Sequence, residues 1–285
     1  MIWAEAKSQF LSQLLTEATR KGYSQNLLQF EHYLNSEIMI SSFQVGEVKN
    51  CHIKRYLAYL EIEKQCQAST CQRHFYALSS FFTFAFNKGW ITTRPTQGIE
   101  LKEINKQAPV FITAKECMAL VQTIENPVIA MAVLCQFQTG LRVAECLALR
   151  IEDICFNKKE IFVRNGKGGK LRTVPLNDRF IKVLVHYLEY DRPKTESTLV
   201  FATKRTGQLS PAYINREIRK ATQKLGWKQR VTCHTLRHSY ATHHLNRGMP
   251  IVQIQRWLGH ESLASTGIYA HLETDRAMDI SPVVI

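Results

Sequence analysis

Helical periodicity runs through the first hundred residues with almost no strand-like alternation, and then it stops. Leu11, Leu14, Leu15 and Ala18 fall on one helical face, Leu27, Phe30 and Leu34 on another, and Tyr56, Leu57 and Leu60 on a third. A fourth segment, rich in aromatics, opens at Ala68 and reaches Lys88-Gly89, a helix stop. This pattern predicts a bundle of about four helices. From Arg94 onward Pro95, Gly98 and a polar stretch reaching Pro109 interrupt it, so the chain divides into a helical domain at 1–101, a linker at 102–111 and a second domain at 112–285.

The second domain carries mixed signals. Thr113 and Glu116 have the spacing of a capping box, Pro127 suits a helix start, and Gly140 its interruption. Residues 160–164 and 170–175 read as two short strands around Asn165-Gly166-Lys167-Gly168-Gly169, a hairpin connection. No Lys-Ser or Lys-Thr pair follows those glycines, so they do not form a phosphate-cradling P-loop. Helical stretches are expected at 180–190 and 212–224, with a short strand at 198–201 between them. Farther on, Ala241, Leu245, Ile251, Ile254 and Leu258 can face a core, while Gly248 ends one helix and Pro250 begins the next. The fold class is mainly α with a small β-sheet.

A formal net charge of +13 and a pI of about 9.4 favour a polyanionic partner, nucleic acid before an acidic membrane. The N-terminal residues lack a basic run followed by an apolar stretch, and no segment reaches transmembrane length, so a cytoplasmic location without membrane partners is expected. Eight cysteines without a C-x-x-C read as reduced packing residues rather than as a zinc site or disulfide framework.

His234-x-x-Arg237 puts an imidazole and a guanidinium one helical turn apart, close enough to hold one phosphate. The spacing is cheap: His52-x-x-Arg55 and His244-x-x-Arg247 share it. Its surroundings are more specific. Thr139-Gly140-Leu141-Arg142-Val143-Ala144-Glu145, then Lys167, His234 and Arg237, then Leu258-Gly259-His260 with Tyr269 nine residues on, resemble in order and spacing the tyrosine recombinase, or phage integrase, family. The resemblance spans most of the chain and is nearest in layout to Xer-type enzymes and compact integrases, with no room before the bundle for an arm-binding domain. Cys146 stands where leucine is usual, and Arg94-Pro95 where Asn-Pro is frequent.

That resemblance implies a helical, SAM-like core-binding domain and an α+β catalytic domain closing as a C-shaped clamp on duplex DNA. It implies Tyr269 as the nucleophile at a DNA phosphorus, leaving a 3′-phosphotyrosine and a 5′-hydroxyl. Arg142 and Arg237 would clamp the nonbridging oxygens, His260 would add a hydrogen bond, His234 would assist proton movement or orient the same oxygens, and Lys167 would protonate the departing 5′-oxygen. Glu145, one turn after Arg142, is placed to orient its guanidinium; a plain surface ion pair has the same spacing. No metal, ATP or other cofactor is called for, since guanidiniums and a lysine supply the positive charge. A tetramer on two DNA sites passing through a Holliday junction is implied, with a second recombinase or accessory protein as a possible participant. The apolar end Val283-Val284-Ile285 either buries against a partner subunit or stays a free tail.

Two other readings share parts of this pattern. A type IB topoisomerase uses the same chemistry and would relax DNA without recombining paired sites. A noncatalytic DNA-binding regulator would show salt-sensitive binding without a covalent intermediate. A basic membrane-surface protein accounts for the charge but not for six ordered side chains.

Overall fold

The computed structural model describes residues 1–37, 43–104, 110–164, 171–204 and 207–259. The chain forms two compact units, Met1–Lys106 and Gln107–Ile285.

Among the described residues, unit 1 is helical apart from an isolated bridge between Ile2 and Gln44: α1 (Trp3–Ser12), α2 (Glu17–Glu37), α3 (Asn50–Ile62) and α4 (Ala68–Asn87). Leu27, Phe30, Leu34, Tyr56 and Leu60 are buried as the periodicity predicts. The indole of Trp3 packs among aromatic rings in the core, its centroid 4.8 Å from Phe81 and 5.0 Å from Phe43. The proposed face through Leu11, Leu14, Leu15 and Ala18 does not form, because the chain breaks into two helices there and leaves Leu15 100% exposed. Local polar groups cause the break. Thr16 Oγ1 accepts from the backbone N–H of Thr19 (3.3 Å) at the start of α2, while Arg20 donates from Nε to Leu11 O (3.1 Å) and from Nη2 to Leu14 O (3.0 Å), satisfying carbonyls at the end of α1. At the far end of α4, Gly89 takes φ +72° and the N–H of Trp90 returns to Ala85 O, so the helix stops where the Lys88-Gly89 pair predicts.

Unit 2 begins its helices with α5 (Ala114–Thr123), whose capping box is present in both directions: Glu116 N–H to Thr113 Oγ1 (3.2 Å) and Thr113 N–H to Glu116 Oε2 (2.7 Å). Its central helix, α6 (Pro127–Thr139), is apolar nearly all round and buried along most of its length. Asn126 caps it and Gly140 terminates it in the left-handed conformation. Then follow α7 (Val143–Leu147), a three-stranded antiparallel sheet of β1 (Ile154–Cys155), β2 (Glu160–Val163) and β3 (Arg172–Pro175), α8 (Asp178–His186), α9 (Pro211–Lys224), α10 (Cys233–Asn246) and α11 (Ile251–Leu258). The β2–β3 register pairs Ile161 with Val174 and Val163 with Arg172. Ile161 and Val174 point into the core and Phe162 outward, the two-residue period of a half-buried sheet.

Three sequence expectations change in this unit. The helix at 180–190 ends at His186 and continues as a single π-turn, Tyr187–Asp191. The strand expected at 198–201 is only a bridge, Arg150 opposite Leu199, because Ile151 N–H to Thr198 O and Val200 N–H to Leu149 O make one antiparallel contact that does not continue as a ladder. β1, by contrast, is a strand that the alternation pattern did not reveal, two residues being too short for a period. At the end of α10, Gly248 (φ +84°) and Pro250 divide that helix from α11 as expected. Ala241, Leu245, Ile254 and Leu258 share a buried cluster with Tyr240, and Ile251 packs at its edge.

Candidate active site

Arg142 is the N-cap residue of α7, delivered there by the sharp turn at Gly140. That turn needs glycine twice over. Its φ is +64°, and a Cβ would lie 2.5 Å from Cδ1 of Tyr240 and 2.7 Å from Cδ2 of Leu258. The Gly140 carbonyl accepts from Nη1 of Arg237 (2.7 Å), tying the turn to α10.

Arg237 is only 6% exposed, on the first turns of α10 behind a Thr232 cap, and its Nη2 donates to Leu258 O (2.6 Å). Arg142 donates from Nη2 to Gly259 O (2.8 Å) and from Nη1 to Glu145 Oε1 (2.9 Å). A third guanidinium, Arg172 at the start of β3, donates from Nε to Trp257 O (2.7 Å). Three consecutive carbonyls at the end of α11 are thus each bound by a different arginine. The physical reason is that the last carbonyls of a helix have no intrahelical donors and sit at the negative end of its dipole. Cations gather there at low cost, and the fold uses that to hold guanidiniums close together.

Glu145 supplies the counter-charge. It is 5% exposed and saturated: Oε1 accepts from Arg142 Nη1 and Arg172 Nη1 (both 2.9 Å), and Oε2 accepts from the Arg142 backbone N–H (2.8 Å) and Arg172 Nη2 (2.6 Å). Burial pushes its carboxyl upward, but the hydrogen bonds from Arg172 and from the Arg142 backbone, with the Arg172 charge behind them, outweigh this and hold it below the ordinary carboxylate range. The i,i+3 ion pair with Arg142 forms, with its carboxylate buried rather than at the surface.

Arg142 remains 28% exposed, and it lines a cleft of about 520 Å³ together with Glu145, Arg150, Asp153, Phe162 and Arg164. Arg164 pairs with Asp153 and Glu152, and Arg150 lies beside Glu152 (3.9 Å). His234 is exposed on the first turn of α10, one turn ahead of Arg237. His238, next along, is lowered from the usual histidine range by burial and by the neighbouring His234 and Arg237.

The structure therefore brings together Arg142, Glu145 and Arg237, with His234 on the same helix as Arg237. His260 follows directly on Gly259, and it, Lys167 and Tyr269 lie outside the described residues, as do Val283, Val284 and Ile285. The sequence reading missed Arg172. Its partners are 27 and 85 positions away, and the only local signal was an arginine at the start of an otherwise half-buried strand.

With this geometry in place, comparison with known proteins defines the class. Residues 110–276 match the phage integrase family, and residues 6–92 match the phage integrase N-terminal SAM-like domain. The chain belongs to the phage integrase family of tyrosine recombinases, whose general activity is site-specific recombination. Among its relatives are a tyrosine recombinase of Thermosipho africanus, 30% identical over 93% of this chain and 92% of that protein, and the XerA recombinase of Pyrococcus furiosus, 32% identical over 93% and 90%. Among solved structures, the Tn1549 transposon integrase in complex with circular intermediate DNA superposes with a TM-score of 0.78 at 18% identity, over 97% of this chain and 98% of that one. Among the described residues, no helix is long and apolar enough to cross a membrane.

Proposed function

We propose that the chain is a site-specific DNA recombinase that cuts and rejoins duplex DNA through a 3′-phosphotyrosine at Tyr269. The observation that carries this is the anchoring of Arg142 and Arg237 on the adjacent carbonyls of Gly259 and Leu258, immediately before His260. Two preorganised guanidiniums at one point can stabilise charge that builds on a phosphoryl group, because their orientation is fixed before the reaction begins.

In this reading the Tyr269 oxygen attacks phosphorus in line and the bond to the 5′-oxygen breaks. Arg142, Arg237 and His260 bind the nonbridging oxygens, Lys167 gives its proton to the leaving 5′-oxygen, and His234 assists the tyrosine proton or orients the same oxygens. The phosphotyrosine conserves the bond energy, so religation by an incoming 5′-hydroxyl runs without ATP, and the cationic side chains take the place of a metal. Residues 1–101 serve as the core-binding domain, 102–111 as linker and 112–285 as the catalytic domain. Strand exchange proceeds pairwise through a Holliday junction in a tetramer on two DNA sites, in the cytoplasm.

The test uses a supercoiled plasmid carrying two copies of the chain's own DNA site. Wild-type protein is expected to give recombinant circles and Tyr269→Phe none. Relaxation without recombinants would place the chain with topoisomerase-type activity, and binding without strand breakage would make it a noncatalytic DNA-binding protein.

A further inference from the structure

We infer that Arg172 is a positioning residue for strand cleavage: it fixes Glu145, and through Glu145 the Arg142 guanidinium, against the end of α11. The inference rests on the proposed reading of Arg142 as a phosphate-binding group.

Arg172 is the first paired residue of β3 after the connection that carries Lys167, opposite Val163. Its side chain is 10% exposed. Three of its five N–H donors are committed, two as a parallel fork on both oxygens of Glu145 and one on Trp257 O. The guanidinium packs on the bare Cα of Gly259, where an added Cβ would meet Nη1, Cζ and Nε at 3.1–3.2 Å. With both oxygens doubly occupied, the carboxylate cannot swing to follow Arg142. Glu145 thereby ties Arg142 to a strand as well as to its own helix.

Lysine at this position would keep the charge and lose the fork, since an ammonium cannot reach both carboxylate oxygens and the Trp257 carbonyl in one plane. The groups facing Glu145 are Arg142 and Arg172; the buried thiol of Cys146 is its chain neighbour, and Arg150, Asp153 and Arg164 line the same cleft. Removing Arg172 leaves burial, which raises the carboxyl, opposed by Arg142 alone. Protonation would then reach Glu145 at a higher pH and release Arg142.

The experiment measures the rate of covalent adduct formation on a nicked substrate bearing the chain's DNA site, from pH 5.5 to 8.5. Wild type, Arg172→Gln, Arg172→Lys, Glu145→Gln and the double variant Arg172→Gln/Glu145→Gln are compared, with melting temperature as the check on folding. Arg172→Gln is expected to cleave about 10²-fold more slowly, the scale of a small misplacement of a reacting group. The ratio of its rate to that of wild type should fall toward acid pH, which removes any titration the two share, and the double variant should be no slower than Glu145→Gln. Arg172→Lys should recover stability but not rate. Wild-type rates in Arg172→Gln, or multiplying effects in the double variant, would overturn the inference. In parallel, the Glu145 carboxyl is titrated by carbon NMR without DNA. It should titrate higher in Arg172→Gln than in wild type, and an unchanged titration would break the link between the two residues. Should wild type form no Tyr269-dependent adduct, the proposed reaction falls instead, with the carboxyl titration still deciding the arrangement.

Discussion

At Gly140 the backbone has φ +64° and a Cβ has nowhere to go, because the Tyr240 ring and Leu258 stand within 2.7 Å of its place. Gly259 has a similar φ of +66°, but its neighbour is a guanidinium at 3.1 Å. The two glycines should therefore differ when replaced. Gly140→Ala combines left-handed strain with overpacking and should lose about 3 kcal/mol, whereas Gly259→Ala adds to the same strain, about 1–2 kcal/mol, only a small shift of the Arg172 guanidinium. Chemical denaturation gives the two stabilities, and equal losses would show that the contacts around Gly140 relax freely. The candidate site was partly legible at this scale. Arg142, Glu145 and Arg237 could be picked out because a local motif surrounds each. Arg172 could not, because what defines it is a carboxylate and a carbonyl brought near by folding.

Among the elements, α3 and α4 are joined across a buried polar pair, the Tyr56 hydroxyl and Nδ1 of His74 at 2.9 Å. Burial, with Arg73 adding to it, pulls the His74 imidazole down to about 4. A histidine lowered in the folded state is protonated more readily in the unfolded one, so its contribution is present above about pH 6.5 and is lost as pH falls toward 4. The loss in unit 1 should be on the order of 2–3 kcal/mol. His74→Gln, which keeps an acceptor for Tyr56, should flatten that acid slope when amide exchange in α4 is followed from pH 7 to 4. An unchanged slope would assign it to other groups.

Helices were the legible elements. Long apolar periods, the Thr113 and Glu116 box, Pro127, Gly140, Gly89 and Gly248 all act locally. What failed was set by competition or by partners far along the chain. Thr16 and Arg20 broke a face that apolar spacing alone would have continued, and residues 198–201 had one bridge partner instead of a ladder.

For the whole molecule, a net charge of +13 bears on affinity rather than on specificity. A protein releasing counterions at about 6–10 phosphates should lose roughly 10³–10⁵ in affinity between 50 and 200 mM salt. Tyr269→Phe, expected to bind without cutting, should show that steep dependence on any duplex, and a shallow slope would mean that few of the cations meet the backbone. The proposed reaction joins Tyr269 covalently to DNA. Its most direct test is to express wild type and Tyr269→Phe in the native host, recover DNA that stays attached through denaturation, and sequence it. Adducts at a defined locus are expected with wild type and none with the variant; equal recovery from both would remove Tyr269 from the role of nucleophile.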